Sequence, residues 1–209
     1  PICQGDWQLS VSDAEFANAD AQGRLQARWR TGPDADSFLP GILQLRGVLT
    51  RADGTRVHRY LPLHIPAVAR HYVRDSVLAG HSRQVEFEVT GDLRHMPFDT
   101  PGSGRFYIRA PIEDAVYDYV PASIRPRTQA PWPRLEQLSG TLVFEGAGVQ
   151  VQDASTRFAS VRGGPPQVPW HDIQAEIADL NEPTVRVAGR SRAQLHALLD
   201  VLRGSAVEQ

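Results

Sequence analysis

The strict alternation of apolar and polar residues is the feature that most constrains this chain. In the stretch VEFEVT (85–90), Val85, Phe87 and Val89 alternate with two glutamates and a threonine. Successive side chains of a strand point to opposite faces, so the pattern predicts a strand with one apolar and one polar face. The same pattern recurs at least six more times. The apolar faces form either a closed core or a surface that holds an apolar ligand.

Short linkers between the alternating stretches predict an antiparallel sheet built of hairpins. Asp53-Gly54 follows the strand predicted at 41–50 and is a strong hairpin signal, with the chain returning directly afterwards. The linkers PIED (111–114) and GAG (146–148) predict two more hairpins. The strand–helix–strand rhythm of a parallel sheet is absent from the sequence. We therefore predict a mainly β fold with a curved or groove-like antiparallel sheet, and a closed β-sandwich is the alternative.

Two amphipathic helices accompany the predicted strands. The first, at about 66–79, begins at Pro66 and carries periodic apolar residues before Gly80. The second, at about 191–203, is predicted to start from a Ser191 cap and to end at Gly204. The apolar face of the first helix is expected to plug one end of the sheet or to cover its back.

A proline-rich stretch suggests the domain organisation. Residues 121–134 hold four prolines and are predicted to form a surface connection. This connection would separate a first β lobe with one helix (1–120) from a second β lobe with the C-terminal helix (135–209). The alternative is one continuous domain.

Composition excludes several classes of protein. The net charge of the 209-residue chain is −2 and its charges are interspersed, which disfavours nucleic-acid binding even though all 22 basic residues are arginines. The single cysteine, Cys3, leaves no internal disulfide to form. No stretch approaches 18 apolar residues, so none of this sequence is expected to span a membrane.

The sequence offers no recognisable catalytic or metal-binding set. No two of the seven histidines are spaced four residues apart on a helix beside an acidic partner, and no cysteine cluster exists. The GSG at 102–104 is interpreted as a turn, and Glu113 and Asp114 as solvated residues of a hairpin linker. We predict a protein that is not an enzyme and that has no cofactor and no metal.

Parity along the strands selects candidate ligand-contacting residues. Tyr117 and Tyr119 share a face, and their hydroxyls suit a groove rim or an exposed face of the sheet. Trp132 and Trp170 are predicted in loops and are expected to be packing anchors. A closed core would use the same apolar residues, so both interpretations remain open. The lipid-groove candidates are Val85, Phe87, Val89, Phe106, Ile108, Leu142, Phe144, Val185 and Val187.

The order of several stretches resembles one known family. These include LPGILQLRG (39–47), VEFEVTGDLRHMPF (85–98), WPRLEQLSGTLVFEGAGV (132–149) and the DL..P.V.V.G pattern at 179–189. Over residues 39–204 the chain resembles the AsmA-like envelope proteins, most closely their YhdP branch. None of these motifs is catalytic, and the resemblance is carried by the ordered set.

The resemblance implies a location and a function. Proteins of this family lie in the Gram-negative envelope, where an N-terminal helix anchors a long periplasmic body in the inner membrane. That body is thought to be a β-groove that carries phospholipid toward the outer membrane. The chain would then be a middle slice without the anchor, binding phospholipid or another acyl-chain lipid. The alternative is a scaffolding module that binds other envelope proteins.

Overall fold

The computed structural model describes residues 7–32, 39–61, 66–164, 168–182 and 184–207. Within these residues, ten strands form a single antiparallel sheet. The strands are β1 (Gln8–Ala17), β2 (Ala21–Arg30), β3 (Ile42–Asp53), β4 (Val77–Ser82), β5 (Val85–Asp92), β6 (Gly104–Tyr117), β7 (Leu135–Glu145), β8 (Gly148–Phe158), β9 (Val168–Ile177) and β10 (Val185–Arg190). The α-helices are α1 (Ala67–Ser76) and α2 (Leu195–Leu202), and two 3₁₀ helices span Gly54–Arg59 and Leu93–His95.

The strands lie side by side in chain order. β4 and β5 together occupy one position, because both pair with β3 on one side and with β6 on the other. The sheet therefore has nine positions, with β1 and β10 at its edges. The predicted mainly β, antiparallel fold is confirmed. A closed sandwich needs a second sheet, and the described residues form only this one.

A line of irregularities crosses the sheet from the start of β5 to β9. The pairing register of strands β6 to β9 shifts along this line. At each shift, one non-glycine residue has a positive φ in the left-handed region of the Ramachandran plot. Bulges of this kind bend a strand and increase its twist, so the sheet is curved. We call these residues the bulge line: Gln84 (φ 58°), Asp114 (49°), Gln137 (54°), Asp153 (50°) and Asp172 (52°).

The prediction of a hairpin at PIED (111–114) is wrong. β6 runs without interruption from Gly104 to Tyr117, because Asp114 absorbs the irregularity as a bulge instead of reversing the chain. Its backbone N–H donates to the Ser139 hydroxyl at 3.2 Å. Glu113 faces His81 of β4, with Nε2 and Oε2 2.9 Å apart, and is part of the sheet rather than of a turn.

The prediction of a hairpin at Asp53-Gly54 is also wrong, because a 3₁₀ helix begins there. The Asp53 carboxylate accepts hydrogen bonds from the Thr55 hydroxyl at 2.7 Å and from the Thr55 N–H at 2.9 Å. Aspartate is a favoured N-cap residue, and here it caps the 3₁₀ helix Gly54–Arg59. The hydroxyl hydrogen bond is the main cause that lowers the Asp53 pKa. The return strand predicted after it falls partly on residues outside the described ranges.

Both predicted helices exist and both are shorter than predicted. α1 ends at Ser76 because Val77 already pairs with Tyr117 of β6, which places Gly80 in a strand. α2 begins at Leu195, since the Ser191 hydroxyl does not cap it but donates to the Pro169 carbonyl at 2.7 Å.

The helices lie at the same end of the sheet, the end reached by the C-terminus of β6. Val168 of β9 is buried against Ala197 and Val201 of α2, with Phe158 of β8 packed beside them. The Tyr72 hydroxyl of α1 lies beside the last residue of β6. This helix-covered end therefore holds a small core of the usual kind.

The proline-rich connection does not interrupt the sheet. β6 and β7, on either side of residues 121–134, pair directly through eight matched positions. The strands of the two suggested lobes thus belong to one continuous sheet.

Candidate functional site: the apolar face

The strand register places all nine lipid-groove candidates on one side of the sheet. Phe87 lies opposite Ile108, Ile108 opposite Phe144, and Val89 opposite Phe106, so their side chains share a face. We call this side the apolar face. A central row of paired residues crosses all nine positions: Ala14, Leu25, Gly47, Phe87, Ile108, Phe144, Val149, Ile177 and Val185.

The neighbouring rows on this face are apolar too. One row runs from Ala110 through Leu142, Val151 and Ala175 to Val187, the last of the candidates. The first three strands contribute residues that were not among the candidates, although their alternation is visible in the sequence. Alternation alone does not give the pairing register, which is what places these strands on the same face. The additional residues of the apolar face are Leu9, Val11, Phe16, Ala27, Trp29, Leu43, Leu45 and Leu49.

The apolar face is only partly shielded from solvent. Val185 is 60% and Val187 49% exposed, and of the nine candidates only Val85 is buried. No strand of the described residues lies outside the sheet, and α1 and α2 contact its end. A face of this kind is unusual, because soluble proteins rarely leave large contiguous apolar patches without a binding role.

The opposite face is polar and carries ion pairs. Glu88 sits between Arg46 at 3.1 Å and Arg105 at 3.2 Å. Arg105 also lies over the ring of Tyr107, 4.7 Å from its centroid. A shallow concavity on this side is lined by charged side chains such as Arg24. The two faces therefore differ sharply in polarity and charge.

The two tyrosines predicted at a groove rim instead attach α1 to the sheet. The Tyr117 hydroxyl lies 2.8 Å from that of Tyr72, which also donates to the Tyr119 carbonyl at 3.2 Å. Burial raises the pKa of Tyr117 and raises that of Tyr119 to about 12. The Tyr117 hydroxyl is an interior group, so the interpretation of Tyr117 as a rim residue is wrong.

The two tryptophans pack against aromatic neighbours. Trp132 meets Tyr119 edge to face, with ring centroids 5.9 Å apart. Trp170 stacks on Phe158 at 5.6 Å. Trp170 lies in β9 rather than in the predicted loop, because the strand begins at Val168.

The described residues meet the requirements of neither a metal site nor a membrane-spanning helix. In the described ranges, no three His, Cys, Asp or Glu residues come together as a possible metal site. None of the helices in that part of the chain has the length and apolar character needed to cross a membrane.

A comparison with protein families shows the family to which the chain belongs. The family model described as YhdP protein matches residues 3–209. The chain belongs to the YhdP family. The match extends the resemblance seen at 39–204 toward both ends, and membership suggests a protein of the Gram-negative envelope. No curated protein and no solved structure matches the chain.

Proposed function

We propose that the chain is a non-enzymatic periplasmic segment of an AsmA-like protein, and that its apolar face holds the acyl chains of phospholipids moving between the inner and outer membranes. The observation that carries the proposal is the central row, which is apolar or glycine at all nine positions of the sheet. Membership in the YhdP family supports it.

The dimensions of the face suit this role. Neighbouring strands lie about 4.8 Å apart, so nine positions span roughly 38 Å from β1 to β10. An extended acyl chain lying along the central row crosses several strands and contacts apolar side chains throughout. Each methylene removed from water gains about 0.8 kcal/mol when fully covered. An open face covers one side of the chain, which retains the lipid while leaving it free to move.

The polar face supports the same assignment by contrast. The arginines paired with Glu88 remain accessible to water, with 75% of the Arg46 side chain exposed. Contact with hydrocarbon would remove water from these charges at a large cost in free energy. Lipid is therefore expected on one face only, and no bond-breaking chemistry is needed for it to pass.

A photo-crosslinking experiment tests the proposal on adjacent residues. p-Benzoylphenylalanine placed at Phe144 lies on the apolar face, whereas the same group at Glu145 lies on the polar face of the same strand. In cells, crosslinks to phospholipid are expected at 144 and not at 145. Equal labelling at both positions, or none at 144 in a folded protein, would contradict the proposal.

Protein binding at a sheet edge is the second candidate function. All six residues of β10 are exposed, and an edge strand of this kind is a template for strand addition by a partner. The scaffolding alternative would gain support if a proline within β10 abolished recovery of an envelope protein while lipid crosslinks at 144 persisted.

A further inference from the structure

The helix α2 carries apolar residues on two different sides of its axis. Ala197 and Val201, four residues apart, are buried against Val168 at the helix-covered end of the sheet. The leucines of α2 follow the spacing i, i+3, i+4 and i+7, which places them together on another side of the helix. We call these residues the leucine stripe: Leu195, Leu198, Leu199 and Leu202.

The leucine stripe is largely exposed to solvent. Leu195 is 72%, Leu198 42% and Leu199 40% exposed. A surface helix normally buries its large apolar residues and exposes its polar ones. In α2 this arrangement is reversed, because the helix buries an alanine and a valine and exposes leucines. An exposed patch of large apolar side chains commonly marks an interaction surface.

Hydrogen bonds from neighbouring segments hold α2 in place. The Ser160 hydroxyl donates to the backbone carbonyl of Asp200 at 3.0 Å. After the helix, the Ala206 N–H donates to the Pro131 carbonyl, also at 3.0 Å. Because these contacts already order the helix, a partner that covers the leucine stripe does not bear the cost of ordering it.

Arginines flank the leucine stripe at both ends of the helix. Arg192 precedes α2 by three residues and Arg203 follows it directly. Arg162 lies at the C-terminal end, where its Nε is 3.3 Å from a Cβ atom added at Gly204. Within the described residues, Arg162 and Arg192 form no ion pair, and Asp200, the one carboxylate of α2, lies 3.6 Å from Arg203. The apolar patch therefore has a basic border, although the whole chain has a net charge of −2.

These charges favour an anionic lipid surface over a second copy of the chain as the partner of the leucine stripe. In an antiparallel pair of α2 helices, Arg192 of one copy would lie near Arg203 of the other, and the like charges would repel. The helix is about 12 Å long, which offers little length for packing against a single partner helix. A bilayer accepts leucines in its interfacial region, and its anionic headgroups attract arginines.

We propose that α2 is a membrane-docking helix. Its leucine stripe enters the surface of a bilayer that contains anionic phospholipid, and the flanking arginines contact the headgroups. This inference goes beyond the proposed function, because it uses the exposed side of α2 rather than the apolar face of the sheet. Docking would hold the helix-covered end of the sheet against the membrane surface.

Vesicle flotation of the purified protein tests the proposal. Vesicles of equal parts phosphatidylglycerol and phosphatidylcholine should carry the protein, and added salt should weaken this binding by screening the charges. Leu198→Glu should weaken binding by about tenfold or more, because it removes apolar contact and adds a charge that the headgroups repel. Val68→Glu is the matched control on α1, where Val68 is 74% exposed, and it should leave binding nearly unchanged.

A fluorescent label shows which part of the protein meets the bilayer. Cys3 is the single cysteine, so Cys3→Ser provides a background for labelling. An environment-sensitive NBD label on Leu198→Cys should shift its emission to shorter wavelength when the anionic vesicles are added, and the same label on Val68→Cys should not. A shift at 198 that needs no vesicles and grows with protein concentration would overturn the proposal in favour of a second copy.

The remaining results separate docking from the proposed function. No flotation with anionic vesicles, or equal flotation of folded Leu198→Glu, would contradict docking. Loss of monomeric cis-parinaric acid binding in Leu198→Glu would assign the leucine stripe to the lipid-holding surface and would also overturn it. If the unaltered protein binds no cis-parinaric acid and gives no crosslinks at 144 while flotation still depends on Leu198, the proposed function fails and docking stands. Thermal melting checks folding, and Leu198→Ala, which adds no charge and should also weaken flotation, decides the question if Leu198→Glu does not fold.

Discussion

The helix-covered end of the sheet and its uncovered apolar face use the same kind of strand in opposite ways. Val168, at the start of β9, is 2% exposed beneath α2. Val187, one strand further along, is 49% exposed. Both are valines in alternating strands, and the difference lies in what covers them. Alternation therefore determines which side of a strand is apolar, and the connecting helices determine where that side becomes core.

The bulge line marks the border between the two regions. Residues on one side of it, such as Ile112 and Val151, belong to the rows of the apolar face. On the other side of the bulge line, Tyr117 contacts α1 and Phe158 packs against the core formed with α2. Each bulge shifts the register, so side chains beyond it are re-aimed. One sheet thereby carries a closed core and an open face without a domain boundary.

Val168→Asp should produce the largest effect on stability. The new carboxylate would be buried beside Ala197 and Val201, and an unpaired buried charge belongs to the most destabilising class of substitution. We expect a loss of about 4 kcal/mol or more in the free energy of unfolding, measured by urea denaturation. Val168→Ala is the matched control and should cost clearly less. Tolerance of the aspartate would show that the helix-covered end is not a true core.

Substitutions at Asp153 test the bulge line that separates the two regions. The Asp153 φ of 50° suits glycine and, among other residues, aspartate or asparagine. Asp153→Val places a β-branched residue in the left-handed region and should cost about 1–3 kcal/mol. Asp153→Gly should be close to neutral because it removes the strain, although it also loses the hydrogen bond from Gln174. Equal effects of the two variants in thermal melts would mean that the bulge is not held by backbone preference.

The sequence predicted the apolar and polar sides of the strands well, because that property depends on alternation alone. All nine candidates were assigned to a common face on this basis, and the register agrees. The bulge at Asp114 was mistaken for a turn, since Pro, Glu and Asp residues occur in both. The cap at Asp53 was mistaken for a hairpin, because Asp-Gly serves either purpose and the tertiary pairing of β3 decides between them.

The contact between the Tyr72 and Tyr117 hydroxyls could not be foreseen from the sequence. It joins residues 45 positions apart, and the pattern gave only a shared face for Tyr117 and Tyr119. The openness of the apolar face was likewise beyond sequence reasoning, because a sandwich and an open sheet need the same alternation.

Tyr117→Phe should have a smaller effect, confined to the helix-covered end. It removes the hydrogen bond to Tyr72, which is worth about 1 kcal/mol. Because burial raises the Tyr117 pKa, the folded state holds this proton more tightly than the unfolded state. Stability should therefore be full below pH ~10 and should fall as the pH rises above it. Denaturation at pH 8 and pH 10.5 should show a weaker pH dependence in the variant, and an unchanged dependence would argue against this assignment.

Val187→Asp should have the smallest effect on stability and a selective effect on lipid. The side chain is half-exposed on the edge strand β10, so a carboxylate there keeps its water and the free energy of unfolding should change by about 0.5 kcal/mol or less. The same charge would nevertheless stand on the apolar face, in the row that includes Leu142 and Val151, and would repel hydrocarbon.

Ala188→Asp provides the control, because it places the same charge on the polar side of the same strand. Thermal melting should show both variants folded, and mass spectrometry of co-purified lipid should show a loss for Val187→Asp alone. Two outcomes would break the contrast between the open face and the helix-covered end. If Val187→Asp unfolds the protein as Val168→Asp does, the face is a core after all. If both edge variants retain lipid equally, the lipid does not extend to β10.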